Sequence, residues 1–244
     1  MFENCEDLVE ERIAGPPLRR AASVPSACMD EIHLSKRFLK ATEWAAAQHV
    51  ARAHDARPPT PSLGQVLGIA SLVLEDGGSE REAIAAMLLD ATGDEDIPIV
   101  ELRDRFGKKV ARLVERSADA RADAGRGARR LDADAWRTRC ARALDLLDRD
   151  DDPSVARVRA ADALRELRTV VGEVRRHGSI AFARFPAPPN EQLDHYRSLV
   201  AAFSRRMPRS NLDQELRGNL TELERLVEIE TATAAWRVAH IDAA

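Results

Sequence analysis

The stretch LGIASLVLEDGGSEREAIAAMLLDATGDED, residues 67–96, reads as two apolar helices separated by a short break. Ser62 is placed to cap the first, which carries Leu63, Val66, Leu67, Ala70 and Leu74 at helical steps and stops at Gly77 and Gly78. Ser79 followed by Glu82 is a capping box, in which each residue satisfies a backbone N–H that the helix start would leave unpaired. It launches the second helix through Ile84, Met87, Leu88 and Ala91, with Leu89-Asp90 near its end, and the run from Asp94 to Pro98 breaks that helix.

The same period extends outward in both directions. Leu34, Phe38, Leu39, Trp44, Ala45 and His49 recur at three and four residues, and RPPTPS at 57–62 ends that segment. Downstream, VELRDRFGKKVARLVERS from Val100 is one amphipathic stretch through Leu102, Phe106, Val110, Leu113 and Val114. Residues 119–134 are rich in Arg, Asp, Ala and Gly and read as a loop. A helical face returns at Trp136, Cys140, Ala143, Leu144 and Leu147, followed by a helix over Val155–Val174 that carries Asp162. PAPPN at 186–190 precedes a helix with Leu193, Tyr196, Val200 and Phe203. Ser210 with Asp213 opens a last helix whose Leu216, Leu220, Leu223 and Val227 form a stripe that packs on its own domain or seams a dimer. No alternating pattern is long enough for a sheet, so the fold class is all-α.

Composition narrows the function classes. The chain has 244 residues, 44% hydrophobic and 32% charged, which fits a globular domain with a full core. Its 37 basic and 41 acidic side chains are interleaved and give a net charge of -4, without the basic footprint that nucleic acid requires. Aromatic residues, at 4%, are too few for base-stacking surfaces. Cys5, Cys28 and Cys140 are odd in number and widely spaced, consistent with a reduced compartment and with neither disulfides nor zinc. No apolar run approaches the length of a membrane span and the first residues, MFENCEDLVEE, are acidic, so the expected location is cytoplasmic. Residues 1–32, broken by Gly15, Pro16, Pro17 and Pro25, are expected to be a partly mobile extension. The helical domain is expected over 33–206, with 207–244 as a C-terminal helix packing on it.

Six ordered segments between about Leu39 and Phe203 carry a family resemblance: AAAQH ending at His49, the 67–96 stretch, RFGKKVARLVE from Arg105, WRTR at Trp136, SVARVRAADALRELR from Ser154 and HYRSLVAAF from His195. They resemble the HD-domain phosphohydrolases in the branch of the RelA/SpoT alarmone hydrolases. Corresponding pieces there read like H-L-L-G-V-A-S, A-A-L-L-H-D-A-V-E-D, F-G-x-x-V-A, W-R-x-R-K, A-A-D-K-L-H-N and Y-Y-R. The resemblance implies a helical bundle and a divalent metal, usually manganese, held by a first His, the His-Asp dipeptide and a distant Asp. Such an ion polarises a phosphoryl oxygen and activates a water.

Carried over residue by residue, the first His position is Gln65, the dipeptide is Leu89-Asp90 and the distant Asp is Asp162. Leucine has no lone pair and a glutamine amide is a weak neutral ligand, so Asp90 and Asp162 are the two strong donors left. The adjoining Glu-Asp pair becomes Gly93 and Asp94, leaving Asp94 as a vestigial catalytic carboxylate, and Leu-His-Asn becomes Leu164, Arg165 and Glu166. A nearby base such as Arg165 is spaced to pair with Asp162. The literal His54-Asp55 dipeptide lies beside the Pro-rich break with no apolar helix behind it. It is a decoy for the metal motif; His54 falls where the family has a basic residue and is a candidate substrate contact. Arg137 and Arg139 match positions suited to phosphate.

Losses confined to the site, with the core pattern kept, point to a pseudoenzyme with no required cofactor, holding Mn²⁺ or Mg²⁺ weakly if at all. It would bind a phosphorylated nucleotide or a protein partner, and not nucleic acid or a membrane. An active metal-dependent phosphohydrolase and a helical interaction module are the alternatives.

Overall fold

The computed structural model describes residues 34–54, 63–92, 98–119 and 132–240. The expected extension at 1–32, the RPPTPS break with its Ser62 cap, Asp94 and most of the 119–134 loop lie outside these residues. Among the described residues the structure is all-α, with nine α-helices, one 3₁₀ helix and no strand.

Helix α1 (Lys36–His54) starts on a carboxylate from a distant part of the chain. Glu80 Oε1 accepts from the Ser35 and Phe38 backbone N–H groups, both at 3.1 Å, so a negative charge sits at the positive end of the helix. Arg37 donates to the Phe106 carbonyl at 2.7 Å, and Trp44 meets Phe106 edge to face with centroids 5.6 Å apart.

Helices α2 (Leu63–Glu75) and α3 (Glu80–Thr92) form the hairpin read from residues 67–96. Gly77 takes φ 76°, and the bonds Gly78 N–H to Val73 O at 2.8 Å and Gly77 N–H to Leu74 O at 3.0 Å close a Schellman motif. Gly78 is also required by proximity: a Cβ there would lie 2.6 Å from Val73 Cγ1 and 2.8 Å from Arg157 Cδ. The capping box forms as the sequence implies, with Glu82 Oε2 accepting from Ser79 N–H at 2.7 Å and Glu82 N–H reaching Ser79 Oγ at 3.4 Å. Burial raises the Glu82 carboxyl, but the Ser79 hydrogen bonds and the Arg157 charge outweigh it and hold its pKa below the ordinary value.

The stretch from Val100 is not one helix. It divides at Gly107, whose φ of 89° lies where a side chain is strained, into α4 (Ile99–Phe106) and α5 (Lys108–Asp119). The amphipathic period survives the break because Leu102 and Phe106 on one helix and Val110, Leu113 and Val114 on the next all enter the same core.

Helix α6 (Ala133–Arg149) is capped by Asp132, which accepts from Ala135 N–H at 2.7 Å. Its Trp136, Cys140 and Ala143 form a small satellite core with Ala187. Helix α7 (Pro153–His177) is the axis of the bundle: it touches α2, α3, α5, α8 (Pro189–Arg206) and α9 (Asn211–His240), as well as the 3₁₀ helix Gly178–Arg184 that follows it. Small residues, Ala156, Ala160, Ala161 and Ala163, let those neighbours approach closely. The stripe on α9 packs on the chain's own core, with Leu216 and Leu223 buried and Leu220 and Val227 partly so. No helix among the described residues is long and apolar enough to cross a membrane.

Candidate functional site

Helices α2, α3 and α7, which carry three of the sequence-selected positions, pack against one another. Gln65 is partly buried in the first turn of α2, Leu89 on α3 is 0% exposed, and Asp162 at the middle of α7 is 2% exposed. Asp90 follows Leu89 on α3; its side chain is outside the description.

Both carboxylate oxygens of Asp162 meet guanidinium groups from its own helix. Arg159, one turn earlier, donates Nη1 to Oδ2 at 2.7 Å, and Arg165, one turn later, donates Nη2 to Oδ1 at 3.4 Å. The Arg159 side chain is only 5% exposed and that of Arg165 15%. A buried carboxylate is tolerated when such partners meet it, and removing one leaves an uncompensated charge.

A model of the HD domain family matches residues 41–188, well over half of the chain. The chain belongs to the HD domain family. Its fold is shared with two solved structures. A metazoan ortholog of SpoT that hydrolyzes ppGpp is 17% identical, with a TM-score of 0.55 over 78% of this chain and 97% of that one. The lmo0812 protein of Listeria monocytogenes EGD-e is 19% identical, with a TM-score of 0.51 over 71% of this chain and 99% of that one. At these identities the likeness is one of fold. No curated protein matches the chain.

In this HD domain the other sequence candidates are dispersed. Arg137 is exposed on α6 and engaged by carboxylates: Glu191 accepts from its Nε at 2.7 Å and Nη2 at 2.9 Å, and Asp134 accepts from Nη1 at 2.6 Å. Those bonds, Glu191 first, push its pKa up. Arg139 is exposed two residues on. His54 is the last residue of α1, with its side chain outside the description, and Asp94 lies outside the described residues. His49 is half-buried on α1.

On the α6 and α8 side of α7 the structure gives an environment to groups that the sequence had placed only on helices or in motifs. His195 on α8 is buried, stacks edge-on against Trp136 at 5.6 Å, and has its pKa pushed down to about 4 by burial and then by the Arg159 charge. It is therefore neutral at pH 7. Tyr196 donates its hydroxyl to Glu166 at 3.4 Å. The Cys140 thiol is pushed up to about 12 by burial and by the Glu166 charge, against a smaller opposite pull from Arg139, so it is not a nucleophile.

An open groove of about 260 Å³ runs between α2 and α7. Gly64, Gln65 and Gly68 form one side, and Arg165, Arg168 and Thr169 the other. The groove thus begins at Gln65 on α2 and follows α7 past Arg165 to Thr169.

Arg159 is the residue whose role the sequence reading missed. Its signal was present: an arginine inside the apolar run VARVRAADAL, three residues before an acid, is spaced for a same-face ion pair. Whether such a pair is buried depends on what packs over it, and that requires the bundle.

Proposed function

We propose that this HD domain is a non-catalytic member of its family that binds a phosphorylated nucleotide without a metal ion. The observation that carries the reading is the buried arrangement of Arg159, Asp162 and Arg165, together with a fully buried leucine at position 89. A divalent ion needs lone pairs directed at one point. Leu89 offers none, Gln65 offers a neutral amide, and the Asp162 oxygens are engaged by two guanidinium groups that supply the positive charge an ion would have brought. Seating an ion against Asp162 would require moving a buried, like-charged arginine, which is electrostatically costly. The described residues do not fit the family's metal.

A nucleotide ligand is supported by the fold neighbour that hydrolyzes ppGpp and by the guanidinium groups beside the old site. The chain's part is then recognition: arginines that hold a phosphate, with no activated water to attack it. The test is a thermal-shift panel of guanine nucleotides crossed with Mn²⁺ and Mg²⁺, run beside an assay for released phosphate and pyrophosphate. The expected result is stabilisation by nucleotide alone, because selective binding to the folded state raises stability, with no metal-dependent product. Metal-dependent release abolished by Asp162→Ala would overturn the reading in favour of an active phosphohydrolase. Absence of any ligand effect would overturn it in favour of a helical interaction module.

A further inference from the structure

We propose that the surface where the start of α1 meets the start of α5 is a docking site for an acidic segment of a partner protein, a role independent of the nucleotide reading. Of the chain's 37 basic residues only four are lysines: Lys36, Lys40, Lys108 and Lys109. The fold gathers them. Arg37 Nη2 lies 2.7 Å from the Phe106 carbonyl oxygen and 3.7 Å from where a Cβ at Gly107 would stand, so the lysines that flank Arg37 and Gly107 share one end of the bundle. All four are exposed, and among the described residues none is joined to a carboxylate. Nearby acids are already engaged: Glu101 accepts from Arg105 at 2.9 Å, Asp104 lies 3.5 Å from Arg103, and Glu80 caps α1. Folding alone does not favour this placement. Lys36 and Lys108 are the first residues of their helices, where the positive end of the dipole repels a cation, and neither first turn contains an acid. Lys36 with Lys40, and Lys108 with Arg112, also repeat like charge one helical turn apart. Their charge is therefore directed at something outside the chain, whereas an arginine such as Arg137 is held by Glu191 through two parallel bonds.

The surroundings select an acidic protein segment over other anions. Exposed Glu43, one turn beyond Lys40, and exposed Asp104 on α4 would repel a continuous polyanion or an anionic bilayer, while single carboxylates can still reach each ammonium. Leu39, 61% exposed, stands on the same face of α1 as Lys36 and Lys40 and offers a contact to an apolar side chain set among those carboxylates. The aromatic residues of the region do not form a base-stacking surface, because Phe106 is buried and Trp44 packs edge-on against it. The surface is also remote from the Asp162 region. Glu80, at the start of α1, is nine residues from Leu89, about 14 Å along α3.

Fluorescence anisotropy of the full chain with a labelled peptide of repeated Glu-Glu-Leu-Glu units, at low and at physiological salt, tests the assignment. Lys36→Glu with Lys108→Glu places acids at two helix starts, which the dipole favours, so thermal melts of this variant should match or exceed wild type. The same variant is expected to weaken the peptide about ten-fold or more. Arg142→Glu with Arg149→Glu changes the net charge equally on exposed positions of α6 and is expected to leave binding within about two-fold of wild type. Binding that survives the lysine variant, or that the α6 variant weakens as much, overturns the surface. Phosphatidylserine vesicles or a single-stranded RNA bound more tightly than the peptide overturn the acidic protein partner. A wild-type chain that binds none of the three probes overturns the proposal outright.

Discussion

Arg159 Nη1 lies 2.7 Å from Oδ2 of Asp162, and the two side chains are 5% and 3% exposed. The positive partner of this acid is thus a side chain of its own helix. The charge of Asp162 is thereby met within one helix as the chain folds.

Breaking that pair from either side is expected to be costly. Arg159→Met should destabilise the chain by about 3 kcal/mol, because the buried Asp162 carboxylate would lose its 2.7 Å guanidinium partner. The double variant Arg159→Met with Asp162→Leu should recover most of the loss. Urea unfolding of the three proteins measures this; a single variant as stable as wild type would show that the pair carries no net charge compensation.

Stability should depend on pH through His195. Its folded pKa, about 4, lies below the ordinary value of 6.5, so the unfolded chain binds a proton that the folded chain refuses. The contribution, on the order of 3 kcal/mol, is fully present above pH 6.5 and is lost as pH falls towards 4. His195→Phe should flatten the dependence in that window. A His195 titration followed by NMR with a midpoint near 6.5 would contradict the assignment.

The capping box makes a local prediction. Ser79→Ala removes the oxygen that receives Glu82 N–H and the hydroxyl that donates to Glu82 Oε2 at 2.6 Å, and should cost about 1 kcal/mol. The midpoint of chemical unfolding should fall with its slope unchanged, since the buried area of the fold is not altered.

Two glycines should respond with opposite sign. Gly107→Ala forces a side chain into a φ of 89° and is expected to destabilise by about 1 kcal/mol or more. Gly68→Ala adds a methyl group inside α2 with nothing within 4 Å, and should stabilise by about 0.5–1 kcal/mol. Thermal melts of both variants decide the matter, and a loss at position 68 would mean that the groove floor is closed in solution.

Much of the fold was legible in the residues because helix signals are local. The Ser79 and Glu82 spacing, the Gly77-Gly78 stop and the apolar steps of α2, α3, α7 and α8 depend on neighbours within a turn or two. The exception, the division at Gly107, arose because the apolar period runs through the glycine unbroken, and periodicity does not register a change of helix axis. The candidate site was legible only as residue types, Gln65 and Leu89 where the family resemblance leads one to expect histidines; what surrounds them was not.

What the chain's order of residues determined by itself was an all-helical HD frame, since helical period is a property of the residues alone. Tertiary structure decided the surroundings of Asp162. The covering of α7 by its neighbouring helices removes water from Asp162 and Arg159, and the loss of water turns an ordinary same-face pair into a charge that must be matched inside the protein.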